Sequence, residues 1–369
     1  MQYTLTHLPK ALVDRRGSDL HVAPYSPPRL RLSGSLLPLD VPPLSPEQAT
    51  MLCFSVLTED QKKTFQMRKE LDMAFGVKDL ARFRGNIYVQ KGSAAGVFRL
   101  IPNTIPSLDA LGLPPIFKRL SDLPRGMILI TGQTGSGKST TLAAMVDYIN
   151  TTHQGNIMTI EDPVEYVHPH KYSMVNQREV GADTDSFANA LKHVLRQDPD
   201  VIMVGEMRDL ETISLALTAA ETGHLVLGTL HTNSAVSSLY RIIDVFPEHR
   251  QGQVRAQLAL SLNAVVCQAL LPGSDNSRAL AMEILIPHAG IRNLIRENKI
   301  HQIYSSMQTG QDESGMQTLN QSLAVLTQKG LISQDVALSV TPDEAEYFEI
   351  LARGRGGVVG KPSGTSRKK

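Results

Sequence analysis

The sequence predicts an α/β protein of two domains: a core built on a doubly wound, mostly parallel sheet, preceded by a smaller α+β domain and followed by helices. Three observations lead there. The 369 residues exceed the roughly 100–200 residues of a single typical domain. Prolines at 102, 106, 114 and 115 break the chain near its first third. Beyond Gly126, each apolar strand run is followed by a helical pattern, the signature of parallel strands joined by crossover helices.

Residues 1–103 form the smaller domain. Short alternating runs interrupted by Pro24, Pro27, Pro28, Pro42, Pro43 and Pro46 suit a small α+β unit. Arg29 to Leu32 and Ala81 to Gln90 read as strands, with Arg82, Phe83 and Arg84 alternating in side-chain direction. Residues 104–117 read as a loop-rich linker. The larger domain, 118–349, opens with an apolar strand from Met127 to Ile130 and a helix from Lys138 to Asn150. It continues with strands Ile157 to Ile160 and Val201 to Val204, the latter followed by a helix from Leu210 to Thr222. Phe187, Ala190, Leu191, Val194 and Leu195 recur at the spacing of one buried helix face, with Asp185 placed to cap it. Gln251 to Leu271, Ile291 to Glu297 and Met316 to Lys329 are also predicted helical. In 350–369, Arg353, Arg355, Lys361, Arg367, Lys368 and Lys369 lie among glycines and serines with no acid, and this stretch reads as a flexible basic tail.

Composition excludes several functions. The 37 basic residues nearly balance 36 acidic ones, and the chain has no Trp and only 5% aromatic residues. It therefore lacks the basic, aromatic-lined surface of a strand-binding translocase, and no nucleic acid partner is expected. Cys53 and Cys267 are the only cysteines, too few for a disulfide framework or a four-thiolate zinc site. No charged start followed by an apolar signal core is present, and no run approaches the roughly 20 apolar residues of a membrane span. A cytoplasmic location follows as the expectation.

The segment Gly132-Gln133-Thr134-Gly135-Ser136-Gly137-Lys138-Ser139 fits G-x-x-x-x-G-K-[ST] at every fixed position, directly after an apolar strand and before a helix. The glycines let backbone N–H groups curl around phosphates, and the helix N-terminus adds partial positive charge. Lys138 would neutralise the β- and γ-oxygens of ATP, and Ser139 would hold Mg²⁺ through its hydroxyl. The nucleotide-binding set runs from Gly132 through Thr140.

Hydrolysis needs carboxylates at neighbouring strand ends, where an open α/β sheet presents its ligands. Ile157 to Ile160 runs into Glu161, Asp162 and, four residues on from Glu161, Glu165; Val201 to Val204 runs into Gly205 and Glu206. The second run ends in Gly-Glu instead of the usual Walker B aspartate, which leaves its role open on general grounds.

A family resemblance supplies more. The strings IEDPVEY (Ile160 to Tyr166), NQREVG (Asn176 to Gly181), LRQDPDVIMVGEMRDLETI (Leu195 to Ile213) and LALTAAETGHLVLGTLHT (Leu215 to Thr232) closely resemble the secretion ATPase superfamily, which includes the motors of type II secretion and type IV pili. The likeness spans nearly the whole chain, weakest before Gly17 and after about Ser333. It implies a RecA-like P-loop core with a PAS-like N-terminal domain. It also implies that Glu165 polarises the attacking water, that Glu161 and Asp162 support water and Mg²⁺, and that Glu206 is the Walker B glutamate acting on Mg²⁺ and the γ-phosphate side. His224 and His231 resemble the two histidines of the family's His box and would sense nucleotide state. Arg82, Arg84 and Arg99 match arginines that close onto the nucleotide from the N-terminal domain, with Arg196 and Arg208 as lesser candidates.

Two features bear on direction. Extension and secretion members carry a four-cysteine zinc insertion, absent from this chain. The retraction branch ends its core with AIRNLIRE, which Gly290 to Glu297 match as GIRNLIRE except at the first position. Glycine there costs up to about 1 kcal/mol of helix propensity. Ile291, Leu294 and Ile295 make an apolar stripe that any fold would bury, whereas Arg292, Asn293, Arg296 and Glu297 form a polar face that the resemblance assigns to retraction. The resemblance further implies a homohexamer docked on an inner-membrane pilus platform protein, with peripheral membrane association and a second retraction ATPase as a further candidate partner.

Overall fold

The computed structural model describes residues 7–355 apart from 16, 33, 79, 102–103, 276 and 309–314. It divides into two compact units: Met1–Ile105 with Pro163–Val167, and Pro106–Asp162 with His168–Lys369.

The smaller unit contains α1 (His7–Asp14), β1 (Asp19–Val22), β2 (Arg29–Leu32), β3 (Ser35–Pro38), α2 (Pro46–Phe54), α3 (Glu59–Arg68), β4 (Glu70–Val77), β5 (Ala81–Gln90) and β6 (Ser93–Ile101). Its strands pair antiparallel in the order β3-β2-β1-β6-β5-β4. Capping boxes start α2 (Ser45 with Gln48) and α3 (Thr58 with Gln61), each satisfying two backbone donors that a helix start leaves open. Leu20, Leu30, Phe83, Ile87 and Phe98 are buried in its core. Both strands expected here have the predicted bounds, and the period of two puts Phe83 inside and Arg84 outside.

The larger unit contains α4 (Ile116–Ser121), β7 (Gly126–Thr131), α5 (Lys138–Thr152), β8 (Asn156–Glu161), β9 (Met174–Glu179), α6 (Phe187–Val194), β10 (Val201–Val204), α7 (Leu210–Glu221), β11 (Leu225–Leu230), α8 (Ala235–Asp244), α9 (Glu248–Ser261), β12 (Leu262–Pro272), β13 (Arg278–Leu285), α10 (Ala289–Arg296) and α11 (Ile303–Met307). Helices Leu319–Gln328, Gln334–Leu338 and Glu344–Arg355 follow. The sheet order is β13-β12-β7-β11-β10-β8-β9, parallel throughout except for β13. Neighbouring residues of β7 feed opposite cores: Met127 and Leu129 pack into one cluster, Ile128 and Ile130 into the other. A sheet covered on both faces explains why its central strands β7, β10 and β11 are buried at every position.

Four expectations change. Gln251 to Leu271 is not one helix: α9 stops at Ser261 and β12 begins at Leu262. Ala264 to Cys267 is buried without interruption between β7 and β13, and such a strand has no alternation to distinguish it from a buried helix. Ser186, not Asp185, caps α6, its side chain accepting from Asn189 N–H. The segment read as a linker buries Leu108, Leu113, Ile116 and Phe117 in the larger unit. The last helix runs to Arg355, past the expected start of the tail at 350, because Leu351 is buried against the C-terminal core. Lys361, Arg367, Lys368 and Lys369 lie outside the described residues.

Candidate nucleotide-binding site

Strands β7, β11, β10 and β8 run parallel and end at one edge of the sheet. The phosphate loop, His231, Glu206 and the pair Glu161–Asp162 follow or close these four strands, so residues far apart in sequence share that edge.

The loop needs its glycines. Gly132, Gly135 and Gly137 have φ of +138°, +83° and +91°, a region that side-chain-bearing residues rarely enter. A Cβ on Gly132 would lie 2.4 Å from the Gln268 carbonyl oxygen and 2.6 Å from Ser136 Oγ. Lys138 is buried, and its Nζ donates to the carbonyls of Gly132 (2.9 Å) and Gln133 (3.0 Å), folding the ammonium back over the loop. Ser139 and Thr140 stand in the first turn of α5, both partly buried. Ser136 Oγ is buried without a hydrogen-bond partner in the protein. Thr134, Gln133 and Gly135 face a cleft of 420 Å³ whose other wall includes Leu319 and Val340. Cradle, ammonium, orphaned hydroxyl and cleft together fit a nucleoside triphosphate.

Sequence reasoning missed what supports this loop. Gln268 Nε2 donates to Thr141 Oγ1 at 2.8 Å, both buried, and ties β12 to α5 just behind the phosphate end. The misread β12 hid that contact.

Glu206 accepts hydrogen bonds at one carboxylate oxygen from Arg208 Nε and from His231 Nε2, the latter at 3.1 Å. Burial alone would raise its pKa, but Arg208 and His231 outweigh that and hold the carboxyl below the usual range, so it is ionised at neutral pH. Arg208, a lesser candidate in sequence, is thus a direct partner of Glu206. Glu161 is buried at the end of β8, accepting from Thr159 Oγ1 (2.7 Å) and Gln177 Nε2 (2.9 Å); Asp162 is exposed. Among the described residues no group of three or more His, Cys, Asp or Glu could hold a metal. Ser139 and Glu206 carry hard oxygen donors of the kind Mg²⁺ takes.

The two histidines part company. His231 follows β11 at the site edge, whereas His224 precedes it, roughly 20 Å away at the strand's rise per residue. His224 Nδ1 instead lies 3.0 Å from the Ala219 carbonyl at the end of α7, and its own carbonyl accepts from Gly126 N–H at the start of β7. Of the two histidines expected to sense nucleotide state, only His231 shares the sheet edge with the phosphate loop. The six residues of β11 hold His224 and His231 apart by the strand's full length, which sequence proximity conceals.

Glu165, Arg82, Arg84 and Arg99 all belong to the smaller unit. Register pairs Arg84 with Arg99, and the period of two puts Arg82 on that same sheet face. Arg99 Nε donates to Asp19 at 2.9 Å, and Asp19 is buried; that guanidinium is engaged in a structural ion pair. Arg84 and Arg196 are exposed. In α10, Arg292 Nη1 donates to the carbonyls of Ala259 (2.6 Å) and Leu260 (3.1 Å), the last turn of α9, while Arg296 is exposed. His288 caps α10 by accepting from Gly290 N–H, and a Cβ on Gly290 would lie 2.9 Å from His288 Cε1, so glycine leaves room for the cap.

The family model for type II/IV secretion system proteins matches residues 93–329. The chain belongs to this family. Within it, the type IV pilus retraction ATPase PilT of Pseudomonas aeruginosa is 51% identical over 320 residues, 87% of this chain and 93% of that protein. The twitching motility protein of Neisseria gonorrhoeae is 52% identical over 314 residues, 85% of this chain and 84% of its own length. A crystal structure of the pilus retraction motor PilT with bound ADP superposes with a TM-score of 0.89 at 48% identity, covering 93% of this chain and 98% of that one. As a type II/IV secretion system protein, the chain shares with that structure an N-terminal antiparallel sheet and a mostly parallel core.

Proposed function

We propose that this chain is an ATP-hydrolysing motor that retracts type IV pili and so powers twitching motility. One observation carries the reading: a complete phosphate loop with acid-bearing strand ends at the same sheet edge, in a chain half identical to a retraction ATPase and a twitching motility protein.

Backbone N–H groups of Gly132 to Ser139 and the α5 N-terminus receive the phosphates, and Lys138 exchanges its two carbonyl partners for phosphate oxygens. Ionised Glu206 acts on the γ-phosphate side, held by Arg208 and His231, so movement of β11's end and of this carboxylate are linked. Bound Mg²⁺ would neutralise phosphate charge, with Ser139 and Glu206 as its protein ligands. Glu165 polarises the attacking water, with Glu161 and Asp162 as its neighbours in the chain. Arginines arriving from the smaller unit stabilise the transferred charge, worth about 10³–10⁵ in rate. Arg82 and Arg84 are the stronger candidates, because Arg99 is occupied by Asp19.

Closure of the smaller unit over the larger one converts nucleotide state into rigid-body motion within a homohexamer. The ring docks on the cytoplasmic side of an inner-membrane platform protein, alongside a second retraction ATPase. No helix among the described residues is long and apolar enough to cross a membrane; the platform protein supplies the link to the membrane. GIRNLIRE and the missing four-cysteine insertion favour retraction over extension.

The test is to image pili and surface motility in a strain lacking the gene, beside the complemented strain. Abundant pili without motility are expected; bare cells would overturn retraction in favour of extension or secretion.

A further inference from the structure

We infer that Gln177 is a positioning residue for Glu165, clamping both feet of the short segment that carries it. This rests on the reading of Glu165 as the group that polarises the attacking water.

The chain leaves the larger unit after Asp162 and returns at His168, with Pro163–Val167 between. Glu161 closes β8 at the outgoing foot, and Gln177 sits on the neighbouring β9, in register with Thr159. Gln177 Nε2 donates to Glu161 Oε1 at 2.9 Å. Its Oε1 accepts the backbone N–H of His168, at the returning foot, at 2.8 Å. One carboxamide thus joins the two ends of the segment.

The outgoing anchor is itself fixed, since Glu161 is buried and also accepts from Thr159 Oγ1. At the returning foot the His168 ring is buried. With Glu161 and His168 held, the six residues between them have little freedom to carry Glu165 out of place, whereas an unclamped loop samples many closures.

The residue type matters. Asparagine is one methylene too short to span both partners. Glutamate offers no donor and sets a second carboxylate against Glu161; leucine offers neither donor nor acceptor. A catalytic group displaced by about 1 Å can cost about 100-fold in rate.

The experiment uses the full-length protein and compares kcat for ATP and the dissociation constant of a fluorescent ADP analogue in Gln177→Leu, Glu165→Gln and the double variant. Gln177→Leu should lower kcat about 10- to 100-fold while leaving analogue affinity within about twofold, and should cost less than about twofold more in the Glu165→Gln background. A purely structural role would lower affinity too and would multiply with Glu165→Gln. Parental kcat in Gln177→Leu, or a multiplying loss, overturns the inference. If Glu165→Gln itself turns over at the parental rate, the water-polarising role falls and the inference with it; a silent Gln177→Leu beside a crippled Glu165→Gln sinks the clamp alone. Should leucine prevent folding, Gln177→Asn keeps the amide but cannot reach both feet, and the same comparison applies, with faster amide exchange at His168 as the sign that the clamp has opened.

Discussion

Acidification should destabilise the larger unit through His168. Its ring is 6% exposed, and Nδ1 has no hydrogen-bond partner in the protein. Burial pushes the imidazole pKa down to about 4, with Asp147 opposing and Lys171 adding to the shift. In the unfolded chain the same group titrates near its ordinary value of about 6.5. Between these values the unfolded state binds the proton and the folded state does not, so stability falls as pH drops through that window. At about 1.4 kcal/mol per unit the full loss is about 3 kcal/mol, of which about 2 kcal/mol is reached by pH 5. His168→Phe keeps a ring of similar shape and removes the titration. Urea unfolding of both proteins at pH 8 and pH 5 checks this: the parental protein should lose about 2 kcal/mol more than the variant across that interval. Equal losses would refute the buried neutral histidine. Because the His168 backbone is the returning foot held by Gln177, the same acid step should also slow turnover in the parental protein.

Two further outcomes follow from the site and from α10. Glu206→Gln removes the ionised group that Arg208 and His231 hold, and should lower phosphate release by about 100- to 1,000-fold while bound ATP accumulates; release at the parental rate would show that this glutamate is not the Walker B residue. Arg292→Ala strips two carbonyls at the end of α9 of a charged donor and should cost about 1–3 kcal/mol in thermal unfolding, whereas Arg296→Ala should stay within about 0.5 kcal/mol, spare ATPase activity and still reduce twitching. Equal stability of the two variants would contradict the helix-capping role of Arg292.

The sequence by itself determined the phosphate loop, because Gly132 to Ser139 are contiguous and their backbone conformation is a property of that stretch. Strands with clear patterning, such as Arg29–Leu32, Ala81–Gln90 and Val201–Val204, were legible to the residue for the same local reason. The long strings of the secretion ATPase likeness placed Glu206 and His231 with similar ease. Tertiary structure decided the rest. Whether Ala264 to Cys267 is helix or strand depends on β7 and β13 lying on either side, which no local period encodes. The separation of His224 from His231 follows from the length of β11. Arg99 is claimed by Asp19, 80 positions away, and Arg292 by carbonyls 32 and 33 positions away. The Gln177 bridge joins two feet of a segment that only the pairing of β8 with β9 brings within reach of one amide. A side chain's chemistry is written in its own residue, but its partner is chosen by the packing of elements distant in sequence, and that choice exists only in the folded chain.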